Sequence, residues 1–245
     1  MKNSDLQKSL YEGNINPDEI AKIESFKESA KIRLEKLNKL LENIAGKKVL
    51  NVGCGNGKFL NKEFLIKNTV TGVDVSLSAL EEAKEYYHIP LQADLDSGIP
   101  VKDGDMDVVI ASEVIEHIVD TDFFLYEVNR ILKPGGVLVL TTPNINTPLS
   151  YMMMLFLDMP PYRSARYRAP HVRDFTKRTL RLALENNGFE IRNYYGTALF
   201  IPWLGYFMSG LCNFFPRLGS ELVVKAIKVK DIEYRNSNFS MILTK

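Results

Sequence analysis

The sequence lacks the features that mark several classes of protein. Only two cysteines, Cys54 and Cys212, occur among 245 residues, so a disulfide framework of the kind that staples small secreted proteins is not expected. Neither sign of charge is in excess, since 31 basic and 30 acidic residues give a formal net charge of +1. This balance makes nucleic acid an unlikely partner on electrostatic grounds. No secretory signal pattern is seen, and we expect a cytoplasmic protein.

Long apolar runs are also scarce. The one long uncharged stretch, residues 193–216, is interrupted by Pro202, Gly205, Gly210 and Pro216, so we expect no transmembrane span. We predict that it forms an amphipathic or hairpin-like cover over a substrate cleft. Shallow peripheral contact with a membrane or a lipid-linked acceptor is the alternative.

Glycine is concentrated in one informative segment, VLNVGCGNGK at residues 49–58. An apolar strand leads into Gly53, Gly55 and Gly57, and an apolar-periodic segment suited to a helix follows. Glycines allow positive φ and a close approach of ligand to backbone, and the start of a helix offers free N–H groups to an anion. The dinucleotide pattern G-x-G-x-x-G is excluded, because Lys58 occupies its third glycine position.

Three later apolar strands end in polar residues. The first is followed by Asp74 and Val75, the second by Asp94 and Leu95, and the third reaches Ala111 and Ser112. Strands and helices alternate from residue 48 to residue 142, with helices predicted at 58–66, 77–86 and 113–132. This alternation predicts an α/β fold with a parallel sheet and a ligand bound at the carboxyl ends of the strands.

Five segments between residues 47 and 145 carry a family resemblance: VLNVGCGNG, GVDVS, QADLD, DVVIASEVIEHI and EVNRILKPGGVLVLTTPN. In this order and spacing they resemble the class I S-adenosylmethionine-dependent methyltransferases. The resemblance implies a Rossmann-like, seven-stranded, mostly parallel sheet with helices on both faces. It also implies an antiparallel last strand, which we place at the sheet edge in residues 238–244.

The resemblance implies S-adenosylmethionine as cofactor. An acid at Asp74 would bind the ribose, Asp94 the adenine amino group, and the residue after it would donate its backbone N–H to the ring. Asn51 departs from the family, which usually has an acidic residue there to hold the methionine amino group. The cofactor-binding residues carried over are Asn51, Gly53, Cys54, Gly55, Gly57, Asp74, Val75, Asp94, Leu95, Ala111 and Ser112.

A second set of polar residues follows the fourth strand. Glu113, Glu116 and His117 lie at i, i+3 and i+4 of the predicted helix and would share one face. With His171 they resemble the divalent-metal site of methyltransferases that act on catechol-type quinone precursors or on the 3′-terminal ribose of small RNAs. Carboxylate and imidazole ligands suit Mg²⁺, Mn²⁺, Fe²⁺ or Zn²⁺. Without a metal, Glu113 would lie near the cofactor and His117 or His171 would act as general base.

We predict a methyltransferase that acts on an oxygen, rather than a nitrogen, of a small molecule or saccharide. The string HVRDFTKRTLRLALENNGFE, which begins at His171, is similar to methyltransferases of quinone and cell-surface glycan pathways. Two alternatives stay open: an RNA ribose 2′-O-methyltransferase with a divalent metal, and a non-catalytic regulatory module that binds S-adenosylmethionine. The oligomeric state is left open.

Four regions are expected along the chain. Residues 1–46 form an N-terminal helical cover of the sheet edge, with residues 11–19 as an alternative flap over the cofactor. Residues 47–146 form the cofactor-binding core. Residues 147–173, rich in methionine and arginine, are an insertion or lid on the substrate side, and residues 174–245 complete the core.

Overall fold

The computed structural model describes residues 24–158, 171–201 and 206–234. Its centre is a seven-stranded sheet in the order β3-β2-β1-β4-β5-β9-β6, beside a two-stranded sheet of β7 and β8. This architecture confirms the predicted Rossmann-like sheet. The strands are β1 Lys48–Val52, β2 Thr69–Asp74, β3 Ile89–Gln92, β4 Met106–Ser112, β5 Leu132–Pro143, β6 Phe189–Gly196, β7 Leu199–Ile201, β8 Tyr206–Met208 and β9 Glu221–Lys228.

Helices cover both faces of the large sheet. Some differ from the prediction at their ends: the helix expected at 58–66 begins at Lys62, because Asn61 caps it by accepting a hydrogen bond from Phe64 N at 2.7 Å. The helices are α1 Glu24–Leu41, α2 Lys62–Lys67, α3 Leu77–Ala83, α4 Thr121–Ile131, α5 Pro148–Leu157, α6 Lys177–Asn186 and α7 Leu211–Phe214, with short 3₁₀ turns at Ile115–His117 and Pro216–Leu218.

The first five strands are parallel, and the central strands among them are buried on both faces. In β1, Leu50 and Val52 pack into one hydrophobic cluster and Val49 into the other, as alternation of side chains across a strand requires. Parallel pairing of β1 with both β2 and β4 brings the carboxyl ends of these strands to one edge of the sheet.

The position of the antiparallel last strand corrects the prediction. That strand is Glu221–Lys228, which pairs antiparallel with both β5 and β6, so it is interior and β6 is the edge. Two lysines obscure it in the sequence, but their ammonium groups donate to backbone carbonyls: Lys225 to Leu40 O, and Lys228 to Leu132 O. Residues 238–244, where the strand is predicted, lie outside the described residues.

The N-terminal helix covers a face of the sheet, whereas the prediction places it at the edge. Leu37, Leu40 and Leu41 of α1 are buried in the same cluster as Val139 of β5 and Val223 of β9. A left-handed glycine, Gly46, follows the helix at φ +66° before β1 begins. The proposed flap at residues 11–19 lies outside the described residues.

Part of the uncharged stretch forms a hairpin. Strands β7 and β8 pair antiparallel, with Leu199 opposite Met208, and the role of the stretch as a cover over the cleft stays a prediction. Within the described ranges, the helices are all too short or too polar to cross a membrane.

Candidate active site

A cleft of about 360 Å³ opens where the carboxyl ends of the central strands meet. Eight of the predicted site residues lie in its wall, together with nine that the prediction had not named. The predicted ones are Gly53, Gly55, Asp74, Val75, Asp94, Leu95, Glu113 and His117, and the others are Asn56, Ser76, Ser78, Ala79, Glu82, Ala93, Asp96, Val114 and Ile118. The sheet topology therefore gathers four separate segments around one space.

The glycine turn requires glycine for two different reasons. Gly53, Gly55 and Gly57 all have positive φ, at +62°, +51° and +81°, which L side chains rarely adopt. In addition, a Cβ on Gly53 would come within 2.4 Å of Val114 Cγ2. The turn thus folds back against the loop after β4 and leaves its backbone exposed to the cleft.

Asp74 is fixed at the end of β2 by two backbone donors. Gly55 N donates to its Oδ2 at 2.7 Å, and Ser76 N donates to its Oδ1 at 2.9 Å. A carboxylate has about four lone-pair sites, so each oxygen keeps capacity for one further donor. This arrangement holds the acid in the cleft wall ready to accept from hydroxyl groups.

Asp94 is held by its own loop. Its Oδ1 accepts from Asp96 N at 3.0 Å and its Oδ2 from Ser97 Oγ at 3.1 Å. Leu95 beside it is almost fully buried. The loop after β3 is therefore an ordered wall of the cleft.

Two predicted cofactor residues lie beneath the turn rather than in the cleft wall. Asn51 is fully buried, and its Nδ2 donates to the Tyr87 hydroxyl at 2.7 Å, while its Oδ1 has no hydrogen-bond partner. Cys54 is buried as well, and burial, followed by the charge of Asp74, raises the pKa of its thiol to about 12. Sequence reasoning missed Tyr87, whose position 36 residues from Asn51 leaves no local signal.

Beyond β4 the chain does not form the predicted helix at 113–132. Glu113 has φ +58°, a 3₁₀ turn spans Ile115–His117, and α4 begins only at Thr121, where the Asp120 carboxylate accepts from Phe123 N at 2.9 Å. Glu113, Glu116 and His117 therefore do not share one face of an α-helix. Ala111 is buried at the end of β4, and Ser112 Oγ lies 3.0 Å from Thr141 Oγ1.

Glu113 is held on the cleft wall by two groups. The Thr141 hydroxyl donates to its Oε1 at 3.0 Å, and Arg33 Nη1 lies 3.1 Å from its Oε2. The same Arg33 nitrogen is 3.1 Å from Glu221 Oε1. Arg33 comes from α1 and was missed in the sequence, because nothing in an amphipathic helix marks one arginine as a partner of an acid so far along the chain.

Glu116 is almost completely buried. Its Oε2 accepts from the Thr142 hydroxyl at 3.0 Å, but its Oε1 has no hydrogen-bond partner. Burial, followed by the nearby charge of Glu113, raises the pKa of Glu116 well above its usual range. A buried carboxylate oxygen without a partner is costly, and a donor on a ligand or a metal ion would satisfy it.

His171 is brought to this carboxylate by the backbone. The carbonyl of Glu116 accepts hydrogen bonds from Val172 N at 2.9 Å and from Arg173 N at 3.2 Å. The rings of His117 and His171 consequently meet edge to face, with centroids 5.0 Å apart.

One ligand atom from each of Glu116, His117 and His171 lies within 4.8 Å of the other two. Three of the four predicted metal ligands are thus together, and Glu113 lies outside the group. One carboxylate and two imidazoles are a donor set that divalent transition metals accept, and the unpartnered oxygen of Glu116 also fits this use.

Comparison with known families shows which family the chain belongs to. A family model described as a methyltransferase domain matches residues 26–194, which includes the glycine turn, the cleft and the histidine pair. The chain belongs to the class I S-adenosylmethionine-dependent methyltransferases. The predicted family is therefore confirmed, and S-adenosylmethionine is the cofactor of that family.

Relatives support the same family. The chain is 29% identical over 159 residues, 64% of its length and 58% of the relative's, to a probable S-adenosylmethionine-dependent methyltransferase of Mycolicibacterium smegmatis. It is 28% identical over 186 residues, 70% of its length and 74% of the relative's, to a ubiquinone biosynthesis O-methyltransferase of Xanthomonas euvesicatoria. The chain nevertheless spans only about half the length of the first curated relatives it matches, with 58%, 46% and 46% covered.

A solved structure shows the same fold at lower sequence identity. An S-adenosylmethionine-dependent methyltransferase of Thermotoga maritima superimposes with a TM-score of 0.61 at 20% identity, over 85% of this chain and 95% of that one.

Proposed function

We propose that this protein transfers the methyl group of S-adenosylmethionine to an oxygen atom of a small molecule or saccharide. One observation carries the proposal: His117 belongs both to the wall of the cofactor cleft and to the group formed with Glu116 and His171. A methyl donor in the cleft and a hydroxyl at the histidine pair would therefore be neighbours, as methyl transfer requires.

The cofactor half of the site supports the first part of the proposal. Gly53 and Gly55 present open backbone, and the fixed carboxylate of Asp74 can accept from the two ribose hydroxyls. Asp94 and Leu95 line the space expected for the adenine. Asn51 lies beneath this surface, and its unpartnered oxygen can accept a hydrogen bond.

The reaction itself makes modest demands on the protein. The acceptor oxygen attacks the methyl carbon in line with the carbon–sulfur bond, that bond breaks, and a neutral thioether leaves. No acid is needed at sulfur, but the acceptor hydroxyl must give up its proton. We assign this role to His117, which lines the cleft, or to His171, whose ring contacts it.

A divalent metal fits the same residues. Glu116, His117 and His171 would hold it, and when bound it would lower the pKa of the acceptor hydroxyl. Glu113, which Thr141 and Arg33 hold on the cleft wall, is no longer proposed as a ligand and is assigned to the cofactor side.

The choice of oxygen as acceptor is supported by names of relatives. Several proteins at 28–35% identity are called ubiquinone biosynthesis O-methyltransferases, and those names describe the relatives. For this chain they favour a hydroxyl, such as that of a catechol, over an amine.

Calorimetry with S-adenosylmethionine and transfer of a labelled methyl group test the proposal. We expect binding by the wild type and loss of it in Asp74→Ala, while Asp105→Ala, which removes a partly exposed acid paired with Lys48 at 2.6 Å and outside the cleft, should bind normally. The transfer assay compares catechols, phenols and saccharides with amines and a short RNA. Equal binding by Asp74→Ala, or transfer only to amines or RNA, would contradict the proposal.

The metal is tested separately. Titration with Mn²⁺, followed by its paramagnetic resonance, should show one site in the wild type and none in His171→Ala. Excess chelator should abolish transfer without weakening S-adenosylmethionine binding. Full turnover in excess chelator would remove the metal from the mechanism and leave the histidines as base.

A further inference from the structure

Helix α5 exposes apolar side chains around most of its circumference. Among its ten residues only Ser150 is buried, whereas Leu155 and Phe156 are 77% and 71% exposed. The other large exposed side chains on this helix are Tyr151, Met152, Met154 and Leu157. A surface helix of a soluble domain normally turns its apolar side chains toward the core. We therefore expect the exposed side chains of α5 to contact another molecule.

A second apolar surface is attached to the same end of the sheet. Phe214 at the end of α7 and Phe215 after it are 83% and 53% exposed. Asn144, just before α5, holds this segment, because its Nδ2 donates to Arg217 O at 3.0 Å and to Gly219 O at 2.8 Å. The exposed side chains of α5 and of Phe214 and Phe215 thus belong to one end of the molecule.

The loop that carries His171 is attached at the same point. Ile145 N donates to Phe175 O at 3.0 Å, and Asn144 and Phe175 form a parallel bridge. Val172, next to His171, is 45% exposed. We call the exposed side chains of α5 together with Val172, Phe214 and Phe215 the apolar rim. It lies on the segments that adjoin the acceptor end of the cleft.

Basic residues accompany the apolar rim. Arg173 follows Val172 and Arg217 lies two residues after Phe215; both are exposed, as is Arg178 in the first turn of α6. Exposed apolar side chains next to exposed guanidinium groups match the chemistry of a surface of anionic lipid, where phosphates lie above an apolar layer.

We propose that the apolar rim docks the protein on anionic lipid surfaces. The apolar side chains enter the boundary between headgroups and acyl chains, and the arginines contact lipid phosphates. This places the mouth of the acceptor site toward the lipid. The inference that the acceptor is itself membrane-bound rests on the proposed function, whereas the docking does not.

Vesicle flotation with the full chain tests the docking. We expect binding to vesicles of phosphatidylcholine mixed with phosphatidylglycerol, weaker binding to phosphatidylcholine alone, and a decrease with added salt. Leu155→Ser combined with Phe156→Ser should weaken binding at least about tenfold, because two apolar side chains that would enter the lipid boundary are lost. Ile66→Ser is the matched control, because Ile66 is 85% exposed on α2, outside the rim, and should bind as the wild type.

A charge variant and a check for a second copy of the chain on the apolar rim complete the test. Arg178→Gln combined with Arg217→Gln should weaken binding to anionic vesicles and leave binding to neutral vesicles unchanged. A wild type that stays unbound at low salt, an equal loss in Ile66→Ser, or a dimer in sedimentation that Leu155→Ser and Phe156→Ser dissolve would overturn the proposal. Calorimetry with S-adenosylmethionine on the same samples reports separately on the proposed function.

Discussion

The two halves of the site are assembled over different distances along the chain. In the cofactor half, Gly55 N and Asp74 Oδ2 come from residues 19 apart, and the bond from Asp96 N to Asp94 spans two. In the acceptor half, the rings of His117 and His171 meet although the residues are 54 apart, and Asn144 reaches Gly219 across 75. A short motif can therefore encode the glycine turn and the loops of Asp74 and Asp94, while only the complete fold brings the two histidines together.

The halves also differ in which polar group lacks a partner. In the cofactor half both oxygens of Asp74 accept backbone N–H groups, and the unpartnered oxygen is that of Asn51, buried beneath the turn. In the acceptor half the unpartnered oxygen is that of Glu116, which belongs to the group formed with His117 and His171. Buried polar groups without partners call for an explanation and are expected at functional sites. Each half therefore has one buried oxygen that a ligand could satisfy, beneath the turn in the first and beside the histidine pair in the second.

The largest expected effect comes from breaking the cofactor half at Gly53. Gly53→Ala would place a methyl group 2.4 Å from Val114 Cγ2 at a φ of +62°, so we expect at least a hundredfold loss of affinity for S-adenosylmethionine by calorimetry, about 3 kcal/mol. Gly104→Ala is the control, because Gly104 has φ +61°, a Cβ there would meet no atom within 4 Å, and the residue lies away from the cleft. An equal loss of affinity in both variants would show that backbone strain at any left-handed glycine, and not the turn, governs binding. An affinity in Gly53→Ala equal to that of the wild type would contradict the prediction.

The sequence predicted this half of the molecule well because its signals are local. Strand, glycine turn, helix, strand and terminal acid follow one another between Lys48 and Asp74, and the alternation of strands and helices predicts parallel pairing. It could not place Asn51, which points under the turn to Tyr87. A strand residue has two faces, and the sequence does not say which one a ligand occupies.

The next effect should separate the two halves. We expect His171→Ala to lower the rate of methyl transfer by about 10²-fold or more, the range of a lost general base, while affinity for S-adenosylmethionine stays within about twofold, since His171 is not in the wall of the cofactor cleft. His88→Ala is the control: His88 is exposed, and its Nδ1 accepts from Val70 N at 3.3 Å, on the β2–β3 connection. If His171→Ala lost affinity for S-adenosylmethionine by as large a factor as it lost transfer rate, the two halves would not be functionally separate.

The acceptor half shows where sequence reasoning reached its limit. It selected Glu116, His117 and His171 correctly as neighbours, yet it placed the first two on a helix that begins only at Thr121, because the left-handed Glu113 ends the strand and a 3₁₀ turn follows. Hydrophobic periodicity cannot report a single residue with positive φ. Strand β9 was missed for a similar reason, since buried lysines resemble surface ones in sequence.

A smaller effect is expected beneath the glycine turn. Tyr87→Phe removes the hydroxyl that accepts from Asn51 Nδ2, and a buried amide left without that partner should lower the free energy of unfolding by about 1–3 kcal/mol in urea denaturation. The neighbouring Tyr86 is only half-buried, so Tyr86→Phe should change stability by less than about 0.5 kcal/mol. Comparable losses in the two variants would mean that the buried hydrogen bond contributes nothing specific.

The smallest effect concerns the exclusion of water from the Cys54 thiol beneath the glycine turn. Burial raises the pKa of this thiol to about 12, whereas the pKa of a thiol in the unfolded chain is about 8.5. As pH rises past that value the unfolded chain loses this proton first, so stability is full below it and declines up to the folded pKa. Between pH 7 and 9 the decline should be below about 1 kcal/mol. Cys54→Ala should reduce this slope in urea denaturation, and an unchanged slope would place water beside the thiol.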